Sequence, residues 1–235
     1  MQPIPPNYMA YDRTIVVFSP DGRLLQVEYA RQAVKRGTTA VGIVTANGVV
    51  LGAMKSSMPL AARDTSKKIF EIDDHIGVVG SGILADARYL VEMARVKAQI
   101  NRITYGEPIS VQTLSKYIAN HTHMATQYAG LRPFGVGLLI GGVDKTGSNL
   151  FETDPSGTMI EWKAQAIGRG AEKAKKVLKS GFRENMSEKD GVKLLLKALK
   201  AGEKESDREN MELAIITKGQ FRKISGPEID RFEKG

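Results

Sequence analysis

Cysteine is absent from the 235 residues. That excludes disulfides, thiolate catalysis and cysteine-zinc sites together, and it agrees with a cytoplasmic protein. Histidine is scarce: there are three. His75 lies beside a turn, while His121 and His123 stand two apart on a helical segment, on different faces, and cannot share a metal. No metal site and no cofactor is expected. Long apolar runs are lacking too. The most apolar stretch, residues 136–143, is glycine-rich and far shorter than the roughly 20 residues a bilayer requires. Membrane contact is therefore not expected. Nor is a secretion leader, because residues 1–11 hold Pro3, Pro5 and Pro6 and no apolar core. No H-E-x-x-H, P-loop or G-x-S-x-G occurs. Gly80-Ser81-Gly82 falls between a strand and a helix without the lysine of a phosphate cradle, so it reads as a tight turn.

What is present is an ordinary globular composition, 42% apolar and 26% charged, in a chain long enough for one large domain. The net charge of +8 is uneven. Residues 1–162 hold 16 basic against 14 acidic residues, and residues 163–235 hold 18 against 12. A nucleic-acid surface would interleave aromatics with the basic residues. Here the lysines share their helices with acids, and Phe182 is the only aromatic between residues 169 and 208. Solvated helix faces account for the charge better than a nucleic-acid partner does.

The periodicities place the elements. Residues 14–18 are β-branched and predict a short strand. Ser19 suits a helix N-cap with Pro20 at the first helical position. Leu24, Val27, Ala30 and Val34, flanked by Leu25, Tyr29 and Ala33, then give helical spacing up to a stop at Gly37. Residues 38–45 and 49–54 form a hairpin about Asn47-Gly48. Residues 68–72 and 76–80 form a second about Asp73-Asp74. Two helices follow, one from Leu84 with Ala87, Val91, Ala94 and Ala98 on one face. The other is capped by Ser110 and buries Val111, Leu114, Ile118 and Ala125. Residues 135–143, 150–153 and 158–166 are strands. Residues 171–182 are a helix, and Ser187-Glu188-Lys189-Asp190 opens another that buries Val192, Leu195, Leu196 and Leu199 and stops at Gly202. Strands 211–217 and 221–224 close the chain, and the residues from Pro227 read as a charged tail. Tight turns make the strands antiparallel, and paired helices carry the chain out and back on one face. The order therefore predicts an α+β fold: a four-layer αββα sandwich of two antiparallel sheets flanked by helix pairs, plus an N-terminal helix.

One candidate nucleophile stands out, Gly37-Thr38-Thr39. A threonine attacks a carbonyl when it is the first residue of a chain and its own amine is the base. A lysine must then tune the site and a carboxylate must hold that lysine. Lys68 is available at the start of a later strand.

Further motifs identify a family. Tyr11-Asp12-Arg13, Phe18-Ser19-Pro20-Asp21-Gly22-Arg23-Leu24, Gln26-Val27-Glu28-Tyr29-Ala30 and Ala33-Val34 closely resemble the N-terminal signature of proteasome α-subunits. The likeness continues through Gly37–Gly42, Lys68-Ile69-Phe70, Ser81-Gly82-Ile83, Ala85-Asp86-Ala87-Arg88, Arg132-Pro133-Phe134-Gly135 and Asp154-Pro155-Ser156-Gly157. It covers essentially the whole chain and is most similar to archaeal subunits. The resemblance implies the fold of N-terminal-nucleophile hydrolases, a homoheptameric α-ring stacked on proteasome β-subunits, and no catalytic residue in this chain. It divides the chain into a gate tail (1–10), an N-terminal α-type segment with its helix (11–37) and the hydrolase-like domain (38–235).

Within that family Tyr11, Asp12, Arg13, Pro20 and Tyr29 match the cluster that holds the entry gate. Lys68, Gly82 and Ile83, with Gly22 and Glu28 across the groove, match the pocket for the C-terminal hydrophobic-Tyr-X tail of a regulatory AAA ATPase. Two observations agree with an inactive subunit. The segment before Thr38 is patterned as a retained helix, and Met54 stands where catalytic relatives place the carboxylate that orients the lysine. The alternative is an active threonine peptidase released by removal of residues 1–37. A basic nucleic-acid-binding protein is the more distant alternative.

Overall fold

In the computed structural model of the chain, residues 16–56, 60, 67–203 and 208–234 are described. The elements are α1 (Leu25–Arg36), β1 (Ala40–Thr45), β2 (Gly48–Met54), β3 (Ile69–Asp73), β4 (Ile76–Gly82), α2 (Leu84–Tyr105) and α3 (Val111–Met124). They continue with β5 (Val136–Asp144), β6 (Gly147–Thr153), β7 (Met159–Glu161), β8 (Ala164–Ile167), α4 (Ala171–Gly181), α5 (Glu188–Gly202), β9 (Met211–Thr217), β10 (Gln220–Ile224) and α6 (Gly226–Lys234).

Two five-stranded sheets result, in the orders β10-β9-β2-β1-β8 and β3-β4-β5-β6-β7, with every pairing antiparallel. The expected α+β sandwich is present. Successive side chains on a strand point to opposite faces, and here both faces of the central strands are covered. On β2, Val49, Leu51 and Ala53 enter the core between the sheets, where they meet Ile69, Val79, Leu139 and Leu150. Val50 and Met54 point the other way, into a second core with Val192, Leu195 and Leu199 of α5. A third core joins Val78, Leu138 and Ile140 to Ala87, Val91 and Leu114 of α2 and α3. Each fully buried leucine or valine stabilises the layers by about 1.5–3 kcal/mol, so the helix pairs are fixed to their sheets by several such contacts.

Helix ends follow the sequence where side chains act as caps. Ser110 Oγ accepts from Thr113 N at 3.1 Å, and Ser187 Oγ accepts from Asp190 N at 3.1 Å. Four expectations are corrected. Ser19 is not the cap of α1, and Pro20 is not its first residue: the cap position is Leu24, without a side-chain bond. Ser19 instead closes a turn, its Oγ donating to Asp21 and its backbone N–H to the Arg23 carbonyl, and Gly22 takes φ +77, which breaks helical continuity. Residues 14 and 15 lie outside the described residues, and Val16–Phe18 are exposed and join no ladder. β-branching favours a strand only where an edge is offered. The strand expected over 158–166 is two strands in opposite sheets, because Trp162 turns in to pack on the inter-sheet core. Finally, the tail from Pro227 is helical. Ile229 is buried and Phe232 packs beside it, while the Ser225 carbonyl receives the Glu228 and Ile229 N–H groups.

The expected first hairpin forms, but its turn is at Ala46-Asn47 rather than Asn47-Gly48, since Gly48 is already paired to Thr45. Gly48 serves a different need: a Cβ there would stand 2.3 Å from the Ile216 carbonyl oxygen of the neighbouring strand. Gly219, by contrast, has open space around it and φ +71. We expect Gly219→Ala to cost about 1 kcal/mol, the ordinary penalty of a left-handed residue, and Gly48→Ala about 3 kcal/mol through displacement of β9. Urea unfolding checks the order; equal costs would show that the β2–β9 approach is not tight.

Candidate functional site

Thr38 stands between the end of α1 and the start of β1. It is 8% exposed, and the following Thr39 is fully buried. Gly37 caps α1 with its N–H on the Ala33 and Val34 carbonyls. Its own carbonyl accepts from Arg169 N at 2.8 Å. A Cβ on Gly37 would lie 2.3 Å from Gly82 N and 2.5 Å from Ser81 Oγ. The residue before Thr38 is thus pressed against the end of β4, and α1, which leads into it, passes close over the start of β5: a Cβ on Gly137 would lie 3.0 Å from Val34 Cγ1, and one on Gly135 3.5 Å from Ala33 Cβ.

Lys68 is 3% exposed. Its Nζ donates to the Thr38 carbonyl and to Thr38 Oγ1, each at 2.7 Å. Ser81 Oγ also donates to the Thr38 carbonyl, at 3.0 Å. Thr38 Oγ1 gives its own hydrogen to the Met54 carbonyl. Met54 therefore presents only backbone to the site, and its side chain is buried in the core with α5. Among the described residues, no carboxylate forms an ion pair with Lys68. Burial pushes the Lys68 ammonium down to about 7; Glu203 and then Glu212 oppose this from a distance, and Arg169 adds to it.

Beside the lysine lies a second cluster that the motifs did not reveal. Glu203 follows α5 and is 6% exposed. Its carboxylate accepts from Thr39 N (2.8 Å), Thr39 Oγ1 (2.7 Å) and Arg169 Nε (2.7 Å). Burial alone would raise this carboxyl, but the bonds from Arg169 and Thr39 outweigh it and hold the group below its ordinary value. Glu212 in turn accepts from the Lys68 backbone N–H at 2.8 Å and from Lys223 Nζ at 2.8 Å. The only available signal was local: Arg169 lies between Gly168 and Gly170, and Glu203 directly follows Gly202. Nothing in the chain order tells that Glu203 returns to Thr39.

The chemistry of this arrangement is limited. The Thr38 nitrogen is an internal amide, whose lone pair is delocalised and cannot act as a base. A lysine near neutrality can take a proton from a hydroxyl, yet the Thr38 hydrogen is committed to Met54. A cleft of about 410 Å³ opens between α1, the β6–β7 turn and the start of α4. It is lined by Arg31, Lys35, Asp154, Arg169, Glu172 and others, and neither Thr38 nor Lys68 is among them.

The remaining expected site residues are distributed as follows. Tyr11, Asp12 and Arg13 lie outside the described residues. Pro20 is exposed in the turn before α1, and Tyr29 is 37% exposed on it. Gly82 adjoins Gly37 and takes φ +114; a Cβ there would stand 2.2 Å from the Gly135 carbonyl oxygen. Ile83 is 41% exposed. Lys68, Gly82 and Ile83 are thus brought to one end of the sandwich, next to Thr38. Gly22 is exposed, and Glu28 pairs with Arg31 at 3.1 Å and Arg23 at 3.7 Å rather than with Lys68. His121 lies with its ring tilted against Tyr89 and Phe134 while His123 bonds the Ser156 carbonyl, so the two histidines serve separate contacts. Among the described residues there is no group of three potential ligands placed to hold a metal, and no helix is long and apolar enough to cross a membrane.

Comparison with known proteins gives two family matches. The proteasome subunit family matches residues 34–216, and the N-terminal signature of the A-type proteasome subunits matches residues 11–33. The chain is 49% identical to the proteasome alpha subunit of Methanopyrus kandleri over 98% of this chain and 95% of that protein. It is 50% identical to that of Methanosarcina acetivorans (95% and 92%) and 48% identical to that of Methanocaldococcus jannaschii (98% and 89%).

The buried lysine makes a pH prediction. In the unfolded chain Lys68 keeps its proton up to its ordinary value of 10.5, and in the folded chain it loses it near 7. Between these values the unfolded state binds more protons, so stability from this residue rises with pH, by up to about 1.4 kcal/mol per pH unit. Glu203 acts at the other end of the scale: its stabilisation is lost as acid protonates it. Lys68→Met should flatten the alkaline slope in urea unfolding while leaving the acid limb in place, since Ser81 still bonds the Thr38 carbonyl. An unchanged alkaline slope would refute the buried, unpaired state of Lys68.

Proposed function

The chain belongs to the proteasome subunit family, in its α branch, and from that membership we propose a non-catalytic role in protein degradation. Copies of it form the homoheptameric outer ring of the core particle in the cytoplasm, stacked on β-subunits. The observation that carries the reading is the internal Thr38: its nitrogen is an amide, Gly37 is wedged against Gly82 and Ser81, and its hydroxyl is bonded to Met54. Assembly is supported by apolar surface left uncovered in the single chain. Val96, Ile100 and Ile103 on α2 are 58%, 51% and 84% exposed at helical spacing. The α1 stripe is also only half covered, with Leu24, Ala30, Ala33 and Val34 half-buried. Such surface is ordinarily buried against a partner.

Residues 1–10 are the tail that narrows the pore. Tyr11, Asp12 and Arg13, with Pro20 and Tyr29 of a neighbour, hold the gate open; Pro20 and Tyr29 both lie on the surface of the single chain. A regulatory AAA ATPase docks its hydrophobic-Tyr-X terminus between adjacent subunits, with Lys68, Gly82 and Ile83 on one wall and Gly22 and Glu28 on the other. Support for Lys68 is that no carboxylate among the described residues pairs with it, which an incoming terminus does.

Two measurements test this. The purified chain should elute at the size of a ring and hydrolyse no peptide until β-subunits are added; a stable monomer, or hydrolysis by the chain alone, contradicts the reading. Lys68→Ala should leave the ring and basal peptide hydrolysis of the assembled particle intact, and reduce ATPase-stimulated hydrolysis at least about tenfold, the loss expected for one charge-assisted bond. Unchanged stimulation removes Lys68 from the pocket.

A further inference from the structure

The site around Lys68 has an electrostatic property that the docking reading does not require but that bears on it. Two hydrogens of Nζ are used by the Thr38 carbonyl and hydroxyl oxygens, both neutral acceptors. No acceptor among the described residues takes the third, although the side chain is 3% exposed. The charged groups that act on it come from each surrounding element. Glu203 after α5 is held by Thr39 and Arg169, Glu212 on β9 is held by Lys223 of β10, and Arg169 precedes α4. Each carboxylate is already engaged, so neither closes on the lysine. Lys67 next to it is exposed. A buried ammonium with neutral partners only is unfavourable, and the group releases its proton instead.

We propose that docking of a partner's C-terminal carboxylate on Lys68 is coupled to uptake of one proton, so that this ring recognises its activator in a pH-dependent way. The proposal rests on the docking reading above. In the empty site above neutrality the amine is largely neutral, in keeping with the depression to about 7. An arriving carboxylate, ionised throughout this range, brings the missing negative charge. Lys68 then takes a proton from solvent, and its Nζ donates to the carboxylate as an ammonium. Below neutrality the proton is already in place and the affinity levels off.

The test uses the assembled full-length ring and a short synthetic peptide ending in Leu-Tyr-Ala, with a free or an amidated C-terminus. Titration calorimetry in buffers of different ionisation heat counts protons. For the free-acid peptide we expect affinity to fall about tenfold per pH unit between about pH 7.5 and 9, with close to one proton taken up per site at the upper end. The amidated peptide should bind weakly, without that slope, and Lys68→Met should behave towards the free acid as the wild type does towards the amide. Equal, Lys68-independent binding of both peptides overturns the docking reading itself. Acid-selective binding that is flat with pH and takes up no proton leaves docking standing and overturns the proton coupling. The wild-type comparison of the two peptides decides the matter even if the variant does not assemble.

Discussion

Gly37 lies so close to the end of β4 that a Cβ would stand 2.3 Å from the Gly82 nitrogen. That approach sets the path of the chain out of α1 and into β1, and it decides the state of Thr38. With residue 37 held there, Thr38 is joined to a folded helix rather than to solvent. Its nitrogen is a peptide amide, its carbonyl is held by Lys68 and Ser81, and its hydroxyl points at the Met54 backbone. A threonine nucleophile needs a free amine at this position. The peptide bond to Gly37 makes that nitrogen an amide here.

The charges around Thr38 belong to the same arrangement. Met54 turns its thioether into the core with α5 and gives Thr38 only its backbone carbonyl. Among the described residues no carboxylate pairs with Lys68, and Glu203 and Glu212 are committed elsewhere: Glu203 fastens Thr39 to Arg169, and Glu212 bonds the backbone at the start of β3 and Lys223. These contacts tie the start of β1 to the start of α4 and the end of α5. They fix the edge where the two sheets and α1 meet, and they leave the Lys68 amine buried against the neutral oxygens of Thr38.

Much of the fold was legible because its signals are local. Asn47-Gly48, Ser110 and Ser187 mark a hairpin and two helix starts within a few residues, and the apolar spacing of α2, α3 and α5 predicts the faces that are buried. The misses have a common cause. Ser19 and Pro20 carry the chemistry of a helix start, yet Gly22 adopts a left-handed conformation and the turn closes on itself. Residues 158–166 look like one strand because periodicity does not record which sheet a strand joins, and Trp162 marks the crossing. The α6 helix was hidden because Ile229 and Phe232 find their partner core only in the folded chain. At the site, Thr38, Met54 and Lys68 could be picked out by residue type and spacing. Glu203 could not, since its bond to Thr39 spans 164 residues and needs the whole sandwich to form.

All of this depends on the covalent continuity of one peptide bond, between Gly37 and Thr38, in the protein as it functions. Intact-mass analysis of the subunit recovered from the assembled, peptide-degrading particle reads that bond directly. The account predicts a mass that retains α1 and every residue through Gly37. A polypeptide beginning at Thr38 would contradict it.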